Sequence, residues 1–563
     1  MKREATHNRR RRKRGIIRRL IPMAIALVLI AIILLVCLAS DFWKKYAYGT
    51  EHADLNRYFD IFFDDQAAII MDNTILEDKA LVSDGRYYIT QEMAEDNFCS
   101  NFYFDESEQQ LLHTGANETI VSTADTKDFI EKDGTVYLAI DYISKLVNLE
   151  VNSFENPKRI EIKNSWGEVS RAKIKKDTEV RELGGVKSDI LADLKEGETV
   201  TVLEEMENWT RVKTADCIMG YVENKRLTET YTESEEPVTS VAEEPILHNL
   251  RDYRICLGWH QVMSATANAT LNDVLAKSRG INVISPTWFS LADNAGGIKN
   301  IGTVDYVAKA HDAGLEVWAL VDNFDTGVST LEVLSKTSVR KIAENNIVNA
   351  ALELGVDGIN IDFENLSGDC GPAFAQFIRE ISVLCRQHSL VLSVDNYVPK
   401  GYTAHYDRKT QGEYADYVVI MGYDEHFSGS EESGSVASFN FVQDGIESTL
   451  AEVAPEQVIN GIPFYTRIWK EGAEVSSEAV DMVTAEEFLK NHGMTKTWDD
   501  VCAQNYAEKT EGNTVIKVWL EDAQSIKAKL DLMQANNIAG VACWKLGMET
   551  DDIWDVIGEY LGS

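Results

Sequence analysis

The chain has 563 residues, of which 44% are hydrophobic and 26% charged, and its formal net charge is −36. That length is enough for roughly two to four domains of about 150 residues each. The first nineteen residues are strongly basic, so the rest of the chain is even more acidic than the net charge suggests. A body this acidic repels phosphate, which excludes DNA and RNA as partners.

The N-terminus predicts a membrane anchor. Residues 1–19 form a basic tail, and residues 20–42 follow it with no charged side chain between Leu20 and Ala39. About twenty residues at roughly 1.5 Å each span the hydrocarbon core of a bilayer. The basic flank predicts a cytoplasmic N-terminus, with a single pass and the rest of the chain outside. The alternative is a cleaved signal peptide, whose apolar region is usually about 7–15 residues long.

Three segments precede the largest part of the chain. Residues 50–170 mix short alternating runs with polar turns, which predicts a small α+β domain. Residues 172–228 read as short strands and turns, which predicts a small β-barrel. Residues 229–247 are acidic, rich in Thr and Ser and marked by Pro, which predicts a solvated linker.

From residue 248 to 563 helical stretches end in Gly and lead into short apolar strands. One example is the stretch 338–355, "SVRKIAENNIVNAALELG", which runs into "VDGINIDFE". Strand centres fall near residues 255, 282, 318, 360, 392, 418, 459 and 540. This alternation predicts an α/β fold, a (β/α)8 or TIM barrel. The long gap before the last strand includes "TVIKVWLED" and predicts a small α+β insertion.

The run "DGINIDFE", residues 357–364, places polar side chains on one face of a predicted barrel strand. Ile359, Ile361 and Phe363 would face the helices, and Asn360, Asp362 and Glu364 would face the barrel interior. Unpaired carboxylates in an interior are unfavourable, and the C-terminal ends of barrel strands carry the chemistry of such enzymes. A functional site is therefore favoured over the alternative, a structural cluster of hydrogen-bonded acids.

This run resembles the signature of glycoside hydrolase family 18, written DGxDxDxE. Two later motifs are similar to that family as well: "MGYD" at 421–424 and "VACWKLG" at 541–547. Together with "GIPFY" and "VWLED", they make the pattern most similar to a bacterial branch that includes spore-cortex peptidoglycan N-acetylglucosaminidases. Residues 172–228 resemble a bacterial SH3 domain, and residues 50–170 weakly resemble a stalk-like domain of bacterial surface proteins.

The resemblance implies a catalytic set. Glu364 would be the general acid and then the base, Asp362 would orient the N-acetyl group of the substrate, and Tyr423 would hydrogen-bond the carbonyl oxygen of that group. Trp544 would form the floor under the bound sugar. Further substrate contacts would come from the remaining motif positions, which are Asn360, Met421, Asp424 and Tyr465. No metal or organic cofactor is expected.

One position departs from the signature, because Asn360 stands where the family usually has Asp. An amide can still donate a hydrogen bond to Asp362. The exchange removes one negative charge, so we expect activity to survive with a shifted pH optimum.

The expected protein is a membrane-anchored, extracytoplasmic hydrolase of glycans that contain β-linked N-acetylglucosamine. Peptidoglycan is the first expected substrate, cleaved by substrate-assisted, retaining catalysis. The expected partners are that glycan, the cell wall through the SH3-like domain, and the membrane through the N-terminal helix. Three alternatives stay open: a hydrolase of chitin-type or N-glycan-type oligosaccharides, a non-catalytic glycan-binding wall protein, and a purely structural wall-attachment protein.

Overall fold

The computed structural model describes residues 4–237, 241 and 244–562. The chain divides into two compact units. The N-terminal unit consists of Met1–Phe98 and Ile130–Ala242, and the barrel unit consists of Cys99–Phe129 and Glu243–Ser563. The first helix spans Glu4–Tyr46, and within it Ile21–Lys44 is long and apolar enough to cross a membrane, a test that a signal sequence also passes.

The N-terminal unit contains a first seven-stranded sheet, in which Gln66–Met71 pairs parallel to Arg159–Lys163. From edge to edge its strands are Phe129–Lys132, Thr135–Ala139, Arg86–Thr90, Thr74–Ser83, Gln66–Met71, Arg159–Lys163 and Glu150–Phe154. Short helices span Leu55–Tyr58, Gln91–Asn97 and Ile140–Ile143. The stalk-like assignment of this region stays a prediction.

A second, antiparallel sheet of seven strands follows in the same unit. Its order is Ile190–Leu194, Thr178–Arg181, Met219–Glu223, Trp209–Lys213, Thr199–Glu205, Gly167–Lys173 and Tyr231–Glu235, with a 3₁₀-helix at Asn224–Arg226. The SH3-like assignment also stays a prediction.

The last strand of this sheet, Tyr231–Glu235, lies inside the stretch that the sequence reads as a linker. It pairs with Gly167–Lys173, and Glu235 forms ion pairs with Arg171 and Lys163. Two acids of the predicted linker, Glu233 and Glu235, are therefore paired with basic side chains of the sheet.

The barrel unit contains eight parallel strands closed into a barrel. The first strand pairs with both the second and the eighth, through Leu257 opposite Val283 and Ile255 opposite Gly540. In order the barrel strands are Ile255–His260, Val283–Leu291, Glu316–Asp322, Gly358–Asp362, Val391–Tyr397, Tyr417–Met421, Val458–Pro463 and Gly540–Trp544. The predicted (β/α)8 fold is confirmed, and each predicted strand centre falls in or within one residue of an observed strand.

Helices surround this barrel, and an insertion precedes its last strand. The α-helices span Leu271–Lys277, Val304–Asp312, Thr330–Ser335, Thr337–Leu354, Gly371–Gln387, Arg408–Tyr414, Phe439–Leu450, Ala523–Ala535 and Ile553–Leu561. The 3₁₀-helices span Ala265–Thr270, Gly368–Cys370, Gly401–Tyr406 and Pro455–Gln457, and a short strand, Ile298–Asn300, pairs with the end of the second barrel strand. The insertion is an antiparallel sheet of Tyr465–Glu471, Val475–Asp481, Thr497–Asp499, Gln504–Glu511 and Thr514–Leu520, with the helix Met482–His492.

The fourth barrel strand follows a helix that ends at a glycine. Gly355 adopts a left-handed conformation with φ 75° and caps Thr337–Leu354. Beyond it, Ile359, Ile361 and Phe363 are buried in the layer between strands and helices, where the Phe363 ring stacks on Phe377 at 5.4 Å. Because side chains alternate along a strand, the residues between them face the barrel interior, as the sequence predicts.

A three-stranded sheet from earlier in the chain packs on the helices of the barrel. It consists of Phe102–Asp105, Gln110–Thr114 and Thr119–Thr123, followed by a 3₁₀-helix at Ala124–Thr126. Asp105 accepts a 2.6 Å hydrogen bond from the backbone N–H of Thr337, and Gln376 donates to Thr114 at 2.9 Å. The sequence analysis placed these residues in the 50–170 domain, because strand alternation does not tell which core a strand joins.

Candidate active site

The base of the site is formed by Asn360, which is fully buried in the barrel interior. Its Oδ1 accepts hydrogen bonds from Trp259 Nε1 at 2.9 Å and from Ser285 Oγ at 3.1 Å. Its Nδ2 donates to Ser393 Oγ at 3.1 Å and to Asp395 Oδ1 at 2.7 Å. The amide thus donates to Asp395, on the neighbouring strand, rather than to the carboxylate that the sequence analysis expected.

Asp362 lies one inward position above Asn360 and is 6% exposed. Its Oδ1 is buried, and among the described residues it has no hydrogen-bond partner. Burial raises the pKa of the Asp362 carboxyl well above its usual range, and the charges of Asp395, Glu364 and Asp322 act in the same direction. A carboxyl in this environment holds a proton more readily than one in water.

Glu364 follows the end of the strand and is held at both its side chain and its backbone. Tyr397 Oη donates a 2.5 Å hydrogen bond to Glu364 Oε2. Asn323 accepts from the backbone N–H of Glu364 and donates to its carbonyl, both at 2.9 Å. These contacts fix where the carboxyl points.

The pKa of Glu364 is raised mainly by burial, and Asp424 and Asp322 raise it further. The hydrogen bond from Tyr397 acts the other way, because it favours the ionised carboxylate. Burial likewise raises the pKa of Asp395, against the hydrogen bond from Asn360. A raised pKa is what a general acid needs to keep its proton near neutral pH.

Aromatic rings form the walls around these acids. Trp259 meets Trp544 edge to face, with ring centroids 5.9 Å apart, and meets Tyr423 in the same way at 6.4 Å. Tyr465 packs on the other side of Tyr423, and its hydroxyl donates to Asp424 Oδ1 at 2.6 Å. Such flat apolar faces beside hydrogen-bonding groups suit a sugar ring.

Acids and rings line one cavity of about 520 Å³ at the C-terminal ends of the strands. Of the predicted site residues, six lie on its wall: Asp362, Glu364, Met421, Tyr423, Asp424 and Trp544. Asn360 and Tyr465 do not line it. The first lies beneath the cavity, and the second contacts it through Asp424.

The sequence analysis missed four residues of the cavity wall that bear on its chemistry: Trp259, Asp322, Asp395 and Tyr397. Each lies at or near the C-terminal end of a barrel strand other than the fourth. An Asp that ends an apolar strand, as in "WALVD" and "LVLSVD", was the available signal.

Comparison with known proteins identifies the family. The sequence profile described as "Glycosyl hydrolases family 18" matches residues 278–549, which contain the fourth strand and both carboxyls. The barrel is a family 18 glycoside hydrolase domain. Membership agrees with the geometry, since six of the eight predicted site residues line a single cavity.

Bacterial relatives match this family 18 barrel. The chain is 28% identical over 239 residues to the "Cortical fragment-lytic enzyme" of Bacillus subtilis, covering 40% of this chain and 55% of that enzyme. It is 24% identical over 306 residues to the "Uncharacterized glycosylase YvbX" of the same species, covering 51% of this chain and 87% of that protein. The chain thus spans little more than half of the first of these relatives.

A solved structure shares the fold. The spore cortex-lytic enzyme SleL of Bacillus cereus superposes with a TM-score of 0.50 at 22% identity, covering 55% of this chain and 74% of that one. At this level of identity the likeness supports the barrel fold alone.

Proposed function

We propose that this protein hydrolyses β-linked N-acetylglucosaminyl bonds in a cell-wall glycan, with peptidoglycan as the substrate, by substrate-assisted and retaining catalysis. The observation that carries the proposal is the pair of carboxyls Asp362 and Glu364, both with raised pKa, on the wall of an aromatic-lined cavity at the mouth of the barrel. Cleavage of a glycosidic bond needs a proton on the leaving oxygen and stabilisation of a positively charged centre.

Glu364 supplies the proton in this proposal. Its carboxyl donates to the leaving oxygen as the bond to C1 breaks, while the acetamide oxygen of the substrate attacks C1. Asp362 stabilises the positive charge that develops on the cyclised acetamide. Glu364 then accepts a proton from the water that opens this intermediate, and two inversions at C1 give net retention.

The aromatic residues bind the sugar in this scheme. Trp544 provides an apolar face beneath the ring, and Tyr423 donates to the acetyl carbonyl. Asp424 keeps its place through the hydroxyl of Tyr465 and raises the pKa of Glu364.

The N-terminal helix supports a location at the membrane, with the barrel on the outer side. Its apolar stretch Ile21–Lys44 follows the basic tail, which favours a cytoplasmic N-terminus. Protease added to intact spheroplasts should digest the barrel while it remains in the membrane fraction. A barrel protected from protease, or one released in full to the medium, contradicts an outward-facing anchor.

Mass spectrometry of purified peptidoglycan tests the activity. The full chain in detergent should release fragments with N-acetylglucosamine at the new reducing end, and Glu364→Gln should release none above background. Chitin oligosaccharides are the comparison substrate. Cleavage of chitin alone supports a chitin-type hydrolase, and binding of either glycan without cleavage supports a non-catalytic wall protein.

A further inference from the structure

We infer that Asp395, on the fifth barrel strand, acts as the positioning partner of Asp362 and shares a proton with it, as an Asp at position 360 of the family signature would. The inference rests on the proposed function and adds a residue outside the signature to its machinery. In this chain the carboxylate is on the fifth strand, and position 360 on the fourth strand holds an amide.

Register places the two carboxyls side by side. The fourth and fifth strands pair in parallel, with Asn360 opposite Ser393 and Ile361 opposite Val394. One further step along the same register brings Asp362 level with Asp395. Asp395 is 2% exposed and lies on the cavity wall with Asp362 and Glu364.

Asn360 has no hydrogen left for Asp362. An amide nitrogen carries two hydrogens. One is donated to Ser393 and the other to Asp395 Oδ1. Asn360 therefore anchors Asp395, and Asp395 is left to interact with the carboxyl above the amide.

The titratable groups that face the pair are two acids and a tyrosine, and Lys299, on the wall of the same cavity, acts on the acid Asp322. Asp322 faces Asp362 from the third strand, Glu364 faces both carboxyls from above, and Tyr423 faces them from the loop after the sixth strand. Among the described residues no ion pair joins Asp362 or Asp395 to a base. Two neighbouring buried carboxyls cannot both ionise at neutral pH, so the pair shares one proton.

The shared proton gives Asp395 its part in the reaction. While Asp395 holds the proton, Asp362 is the anion and can accept a hydrogen bond from the N–H of the acetamide. The acetamide oxygen then bonds to C1, the bond from C1 to the leaving oxygen breaks, and that oxygen takes the proton of Glu364. Asp395 forms no bond to the substrate and acts through Asp362.

A carboxylate swap tests this inference in the full chain. Asp395→Asn should lower kcat at least tenfold on the glycan that the wild type cleaves and should displace the pH–rate profile. The double variant Asn360→Asp with Asp395→Asn restores one carboxylate beside Asp362. Its kcat should be at least fivefold higher than that of Asp395→Asn alone. Ser393→Ala also removes a partner of Asn360 but keeps every charge, so its pH profile should match the wild type.

The inference and the proposed function predict different results for these variants. A profile and kcat unchanged in Asp395→Asn overturn the inference, and so does a double variant no more active than Asp395→Asn. If Asp395→Asn alone does not fold, the double variant decides: activity within tenfold of the wild type supports the inference, and a larger loss overturns it. Wild-type activity in Glu364→Gln defeats the proposed function itself, whereas an inactive Glu364→Gln with an ineffective swap defeats only the inference.

Discussion

Two groups of buried acids in the barrel unit differ in what accompanies them. Glu521, just after the insertion, is 1% exposed and accepts from Lys529 Nζ at 3.0 and 2.9 Å, with further hydrogen bonds from Gln504 and Ser525. Asp362 and Asp395 at the barrel mouth are comparably buried, but among the described residues no ion pair gives either of them a cation. Lys529 favours the ionised form of Glu521, whereas no described base opposes the burial that raises the pKa values of Asp362 and Asp395.

The largest effect expected is loss of turnover in Glu364→Gln, which keeps the shape of the side chain and removes its proton. General acid–base catalysis contributes about 10²–10⁴ in rate, so kcat should fall by that factor while binding persists. A substrate with an excellent leaving group, such as a methylumbelliferyl glycoside, needs little protonation. The first chemical step should therefore recover more in Glu364→Gln than in Asp362→Asn, and equal recovery would argue against these assigned roles.

The next effect concerns the structural pair. Lys529→Met leaves Glu521 buried without its cation, which should lower the free energy of unfolding by about 3–5 kcal/mol. Denaturant unfolding measures this, and kcat of the folded variant should stay as in the wild type. Lys527→Met is the matched control, because Lys527 pairs with Asp531 on the helix surface and should contribute at most about 0.5 kcal/mol. Equal losses of unfolding free energy in the two variants would contradict a structural role for the buried pair of Lys529 and Glu521.

Removal of an acid at the barrel mouth should raise the free energy of unfolding, whereas removal of Lys529 should lower it. The folded-state pKa of Asp362 is raised, so its contribution to stability falls as pH rises above the unfolded value of about 4. Asp362→Asn should therefore stabilise the protein near pH 7, by about 1.4 kcal/mol for each tenfold rise in proton affinity, and much less near pH 4. Thermal unfolding at both pH values measures this. Asp305→Asn is the matched control, because Asp305 forms a surface pair with Lys309 that should contribute at most about 0.5 kcal/mol.

The smallest effect is a shift in the pH–rate profile. Tyr397→Phe removes the hydrogen bond that lowers the pKa of Glu364, so that pKa should rise. The basic limb of kcat/KM should then move to higher pH, because Glu364 keeps its proton longer. Tyr406→Phe is the control, since the Tyr406 hydroxyl accepts from the backbone of Leu366. A basic limb that moves to lower pH in Tyr397→Phe would contradict the proposed environment of Glu364.

Local sequence patterns predict most of the barrel strands and part of the candidate site. Apolar runs after helix-ending glycines locate the strands, and the alternation in "INIDF" decides which side chains face inward. Asp395 was not predicted, although it ends the apolar run "LVLSVD", because only the structure shows that Asn360 donates to it.

Long-range packing explains the remaining differences from the prediction. The strands within 99–129 have the same alternation as their neighbours in the chain, yet they pack on the barrel, where Arg386 donates to the carbonyl of Ala116 and Tyr414 to that of Thr114. Those partners lie about 270–300 residues away. No local pattern encodes such a pairing.

The measurement that tests the central claim most directly compares one glycan with and without its N-acetyl groups. If the acetamide of the substrate is the nucleophile, a free amine at the cleavage sugar should abolish turnover, and chemical re-acetylation should restore it. The acids at the barrel mouth would then transfer protons and position the acetamide, and the substrate itself would supply the nucleophile. Equal rates on the acetylated and de-acetylated glycans would contradict substrate assistance and the roles assigned to Asp362 and Asp395.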